Sequence, residues 1–148
     1  MPKPLVLVGD ARDRLKNLPA ESVNCCITSP PYWQLRDYGV ARQLGVEDSP
    51  DEYVESMVEV FREVKRVLKG DGTLWLNLGD IYMSSWPTSR LKAAGFPWAS
   101  ARPGQPKKRN GMGLKPKDLV GIPWGVALAL QADGWYLRWL LDKSRIYC

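Results

Sequence analysis

Ser29-Pro30-Pro31-Tyr32 is the stretch whose residue types and spacing suit a definite chemistry. Each proline fixes its own φ and drives the residue before it into extended geometry. The prolines offer carbonyls but no backbone N–H. The strip is therefore stiff and rich in acceptors, with one hydroxyl ahead of it and one aromatic ring behind. It suits a planar group that arrives carrying only donors, such as the exocyclic amine of a nucleobase. Such an amine is a poor nucleophile, because its lone pair is delocalised into the ring. Hydrogen bonds from its two N–H groups to the Ser29 side chain and to a proline carbonyl favour a tetrahedral nitrogen and free the lone pair for an electrophilic methyl. Tyr32 can stack on a base held outside its duplex. Read by itself, the tetrapeptide is equally a proline-rich turn.

The elements that must position this strip follow from apolar patterning. Leu5 to Val8 reads as a buried strand leaving through Gly9-Asp10, and Ala11 to Leu18 as a short helix stopped by Pro19. Val23 to Thr28 is a second buried strand, including Cys25 and Cys26, and runs straight into the strip. Ser49, Pro50 and Glu52 are an N-cap, a first-turn proline and the far member of a capping box. They open a helix whose apolar face carries Tyr53, Met57, Val60, Phe61, Val64, Val67 and Leu68. Gly70-Asp71-Gly72 ends it, and Thr73 to Leu78 is a third strand, ending at Gly79-Asp80. A further helix is expected from about Pro123 to Ala132, closed by Gly134, and a fourth strand from Trp135 to Leu141. Strands alternating with helices imply an α/β sheet of parallel strands, with ligands beyond their carboxyl ends. Asp10, Ser29 and Asp80 all fall at such ends. Asp10 and Asp80 are turn residues or functional ones, and Trp33 is a pocket wall or a core residue. Trp75 and Trp135 are expected in the core.

Charge is distributed unevenly. The 148 residues carry 21 Lys and Arg against 16 Asp and Glu, a net +5. No acid lies between Asp80 and Asp118, and that interval holds Arg90, Lys92, Arg102, Lys107, Lys108, Arg109, Lys115 and Lys117, with Tyr82, Trp86, Phe96 and Trp98 among them. The rest of the chain is net acidic. A basic segment with interleaved aromatics, at about 81–117, is the expected footprint of a nucleic-acid surface. A loop this long without periodicity is usually functional or disordered. Histidine is absent and the three cysteines have no metal-ligand or disulfide spacing, so neither metal chemistry nor a disulfide framework is expected. No apolar run reaches membrane-spanning length and there is no signal-type stretch, which points to a cytoplasmic protein.

Taken together, Gly9-Asp10, Leu15, Leu18-Pro19, Ser22-Val23, Ile27 to Trp33, Gln43-Leu44-Gly45, Gly72 to Asn77 and Lys115 to Leu119 resemble the DNA amino-methyltransferase family that modifies cytosine N4 or adenine N6, in the branch whose catalytic motif lies near the N-terminus. The resemblance covers about residues 5–138. It implies a Rossmann-like α/β methyltransferase fold, S-adenosylmethionine as cofactor and DNA as substrate, in a restriction–modification setting or alone. It places catalysis at Ser29, Pro30, Pro31 and Tyr32. Serine in the first position points to cytosine N4, the alternative being adenine N6. Asp10 is the residue implied to hydrogen-bond the cofactor's adenosine portion, unless it only makes the turn. Two features depart from the family. Gly70-x-Gly72 and Gly111-x-Gly113 lack the phenylalanine and the strand-to-helix setting of its cofactor loop. Only four strands are legible, against seven in a complete family sheet. The whole chain, 1–148, is therefore expected to be the N-terminal catalytic portion of one domain, with an incomplete sheet, truncated at its C-terminal side. A second chain or a C-terminal half would complete it; a non-catalytic remnant that binds DNA or a partner subunit is the rival.

Overall fold

A computed structural model describes residues 4–83, 114–115, 117–141 and 145–147. Its organising element is α2, Pro50–Val67. Ser49 caps it through a bond from the Glu52 amide (3.2 Å), and the Glu52 carboxylate reaches back to the Asp48 amide (3.1 Å). The return bond of the capping box thus lands one residue earlier than the sequence pattern implies. The expected face, Tyr53, Met57, Val60, Phe61, Val64 and Val67, is buried. Removing one large side chain there, as in Phe61→Ala, costs about 3–5 kcal/mol by transfer and cavity terms together.

α2 passes directly into β2, Leu68–Asn77, which pairs in parallel with β1, Val23–Thr28. The register slips between Val23 and Cys25, where the Gly70–Gly72 turn is absorbed. Gly72 is needed there because a Cβ would sit 2.9 Å from the Lys69 carbonyl oxygen. Leu74, Leu76 and Leu78 face α2 and α3, Ile122–Ala132, in one core with Trp33, Tyr53, Met57 and Phe61. Two short strands, β3 (Trp139–Leu141) and β4 (Arg145–Tyr147), complete a four-stranded sheet of order β1-β2-β4-β3. The pairs β2–β4 and β4–β3 are antiparallel, so the sheet is mixed rather than wholly parallel.

Several expectations are corrected. Leu5 to Val8 is not a strand but exposed chain, because no described strand lies beside it to take its backbone bonds. The first helix, α1, spans only Ala11–Arg14 and tightens into a 3-10 turn, Leu15–Asn17. Among the described residues β1 is an edge strand with one face uncovered, and Cys25 is exposed and Cys26 half-buried. Trp75 lies on that uncovered face and is exposed, while Trp135 packs against the core. The strand expected from Trp135 starts only at Trp139, as β3.

Candidate active site

β1 delivers the strip to the carboxyl edge of the sheet. Ser29 is exposed there, and its Oγ donates to the Tyr32 hydroxyl at 3.3 Å. A hydroxyl has one proton and two lone pairs. With the proton turned to Tyr32, the lone pairs of Ser29 remain for an incoming donor.

Three elements fix the strip from behind. The Tyr53 hydroxyl of α2 donates to the Pro31 carbonyl at 2.9 Å. Burial, first of all, pushes the Tyr53 phenol far above its usual range, so it acts as a donor at any working pH. Gly45 supplies the second contact. Its φ is +90°, and a Cβ would lie 2.8 Å from the Tyr32 carbonyl oxygen and 3.2 Å from Pro31. Only glycine combines that backbone with so close an approach. The turn around it is held by Gln34 N–H to the Gly45 carbonyl (2.6 Å) and by Gly45 N–H to the Glu47 carboxylate (2.8 Å). Gly79, just past β2, is the third: a Cβ there would stand 2.6 Å from Tyr32 Cδ2 and Cε2. The ring of Tyr32 is thus seated on the backbone of the neighbouring strand's end. Trp33, buried, donates Nε1–H to the Glu47 carbonyl at 3.0 Å and belongs to the core, not to a pocket wall.

The two aspartates turn out differently. Asp80 accepts the amides of Ile81 (2.8 Å), Gly121 (3.0 Å) and Ile122 (3.3 Å). It is the N-cap carboxylate of α3, supplied from another segment because Gly121 has no side chain to cap with. Asp10 caps α1 through the Arg12 amide (2.9 Å) and grips the Arg12 guanidinium (2.6 Å). That hydrogen bond, outweighing burial, lowers its pKa to about 2. Among the described residues no contact joins Asp10 to the strip directly. The connection runs through Arg12, whose Nη2 also donates to the Arg42 carbonyl (2.6 Å) in the loop that leads to Gly45.

Of the basic residues read as DNA-contacting, Lys115 and Lys117 are exposed. Arg90, Lys92, Arg102, Lys107, Lys108 and Arg109 lie outside the described residues. What the structure does describe is the neck of that segment. Met83 N–H reaches the Asp118 carbonyl, Lys117 N–H the Met83 carbonyl (each 2.8 Å) and Val120 N–H the Ile81 carbonyl (2.9 Å), around an antiparallel bridge of Tyr82 and Leu119. No group of three potential ligands able to hold a metal occurs among the described residues. No helix among them is long and apolar enough to cross a membrane.

Sequence reasoning misses Tyr53, Gly45, Gly79 and Arg12 as parts of this arrangement. In the sequence Tyr53 is only one apolar position of a helix face, which hides its hydroxyl. Gly45 shows there as punctuation and as the end of the Gln43-Leu44-Gly45 stretch, and Gly79 as a strand-end turn, with nothing to mark their close approach to Tyr32.

A family model described as DNA methylase matches residues 23–140. The Type II methyltransferase M.SmaI of Serratia marcescens is 51% identical over 136 residues, which is 90% of this chain and 44% of that protein. M.XycI of Xanthomonas campestris pv. cyanopsidis is 50% identical over 143 residues, 93% of this chain and 47% of its own. The chain spans less than half the length of these relatives. Among solved structures, a putative DNA modification methylase of Thermus thermophilus, complexed with S-adenosyl-L-methionine, superposes with TM-score 0.55 at 19% identity over 95% of this chain and 49% of that one. That likeness is one of fold.

Proposed function

The chain belongs to the DNA methylase family of amino-methyltransferases, and from that premise we propose that it carries the amine-binding half of an enzyme that methylates the N4 amine of cytosine in DNA with S-adenosylmethionine. The observation that carries this reading is the strip itself: an exposed Ser29 hydroxyl whose proton is turned to Tyr32, followed by two proline carbonyls of which Tyr53 occupies the second. Ser29 Oγ and the Pro30 carbonyl are then the two acceptors for the two N–H groups of the target amine. Together they favour a tetrahedral nitrogen with its lone pair directed away from the base ring. The flipped base lies against Tyr32, whose ring is held in place on Gly79. Fixing the amine in line with the methyl supplies most of the acceleration.

S-adenosylmethionine, when bound, supplies the electrophilic methyl. Among this chain's residues Asp10 is proposed to help hold it, through an ionised, partly exposed carboxylate whose two oxygens Arg12 orients. The basic segment at 81–117 is proposed as the DNA-contacting part, and residues 1–148 as a portion of a single methyltransferase domain. Serine in the first strip position favours cytosine over adenine.

The test is to expose DNA to a complete enzyme carrying this N-terminal half, together with S-adenosylmethionine, then to digest the DNA to nucleosides and weigh the products. N4-methylcytosine is expected. N6-methyladenine without N4-methylcytosine overturns the base assignment, and no methylated base at all overturns the activity. Ser29→Ala should slow the transfer by about ten- to a hundredfold, roughly 1–3 kcal/mol of barrier, with cofactor affinity unchanged.

A further inference from the structure

We propose that Tyr53 is a positioning residue for the transfer: its hydroxyl, bonded to the Pro31 carbonyl, sets the height and tilt of the catalytic strip from inside the core. The inference rests on the reading of the strip as the seat of the amine.

The strip has no backbone N–H at Pro30 or Pro31 with which to anchor itself. Its anchors must come from elsewhere, and among the described residues one side chain supplies a hydrogen bond to the proline pair: Tyr53, at 2.9 Å and 0% exposed. The phenol oxygen is carried by the first turn of α2, a helix whose apolar face forms the centre of the core. The bond therefore ties the end of an edge strand to the element around which the core is built. Gly45 and Gly79 press on the same strip by close backbone approach, from the loop and from the end of β2. Tyr53 differs from them in acting on an oxygen. It occupies one of two neighbouring carbonyls, which makes the other the acceptor that faces the base. Without the phenol, the Pro31 carbonyl becomes a second, competing acceptor about one residue out of place. The strip also loses the bond that resists its rotation about the Ser29–Pro30 axis.

Tyr53→Phe removes a single oxygen from an otherwise unchanged ring, so packing is retained. In the full-length protein the expected result is a drop of about tenfold or more in the single-turnover methylation rate, with half-saturating concentrations of S-adenosylmethionine and DNA, and the thermal midpoint, nearly unchanged. An unchanged rate in Tyr53→Phe overturns the proposal. So does a rate loss that tracks a falling thermal midpoint or a rising half-saturation for DNA, since that is the mark of a merely structural role. The wild-type rate separately controls the functional reading. If wild-type protein methylates no DNA, that reading fails, and the positioning role is decided by nuclear magnetic resonance. In protein labelled with carbonyl-13C proline and ring-13C tyrosine, the Pro31 carbonyl and the Tyr32 ring resonances should both move in Tyr53→Phe; a Tyr32 ring that does not respond overturns the proposal.

Discussion

The carboxylate of Asp10 is tied to Arg12, and that bond holds its pKa down at about 2. A group whose pKa is lower folded than unfolded contributes stability in full above its unfolded value, and loses it as pH falls through the folded one. The window therefore runs from about pH 4, the ordinary aspartate value, down to about 2. Chemical melts of wild type and Asp10→Asn should show a stability gap that is constant from neutral pH to about pH 5, shrinks below about 4 and vanishes near 2. A gap that widens in acid would mean that Asp10 is not held ionised by Arg12. The proposed cofactor role of Asp10 draws on the same bond, because an aspartate ionised throughout the working range presents only acceptors. At this scale the sequence is informative where chemistry is carried by residue type and silent where it is carried by approach. Ser29, Pro30 and Pro31 are legible because proline restricts geometry wherever it stands. The phenol of Tyr53 is not, because a tyrosine on an apolar stripe reads as a hydrophobe until its oxygen is seen to meet a carbonyl.

Among the elements, α2 is legible almost residue for residue, since capping and helical periodicity are local signals. The strands are less so. β1 reads as buried on both faces, yet in the structure Ile27 is 81% exposed and Cys25 lies open, because burial of a strand depends on neighbours that its own sequence does not contain. Leu5 to Val8 fails for the same reason. Asp80 stands at a strand end where turn and function are equally open, and its partner amides at Gly121 and Ile122 lie 41 and 42 residues away. Such a cap cannot be inferred from spacing. The basic segment is an element of a different kind, marked by charge and not by pattern. Its cations should give duplex DNA binding a steep salt dependence, about −0.9 in log–log slope for each phosphate neutralised. Replacing Lys107, Lys108 and Arg109 together with glutamine should flatten that slope by up to about 2.7. Equal slopes and affinities in titrations at several salt concentrations would reduce the segment to a solvated loop.

Among the described residues, the sheet has one face covered by α2 and α3 and another on which Cys25, Ile27 and Trp75 lie exposed, and no strand pairs with β1 along its outer edge. Parallel strand pairs normally have both faces covered, and an open apolar edge invites association. The 148-residue chain expressed by itself should therefore enhance the fluorescence of an apolar dye and sediment as more than a monomer; a dye-silent monomer contradicts this. The neck of the basic segment has a different consequence. Ile81 to Met83 and Lys117 to Val120 are laced together by main-chain bonds, so they close whatever lies between them without depending on its side chains. Loop length adds little to such a closure, roughly 0.6 kcal/mol for each doubling. The interval between these two laced segments is in that sense an interchangeable cassette: its length and sequence can change at little cost to the closure that Ile81 to Met83 and Lys117 to Val120 make.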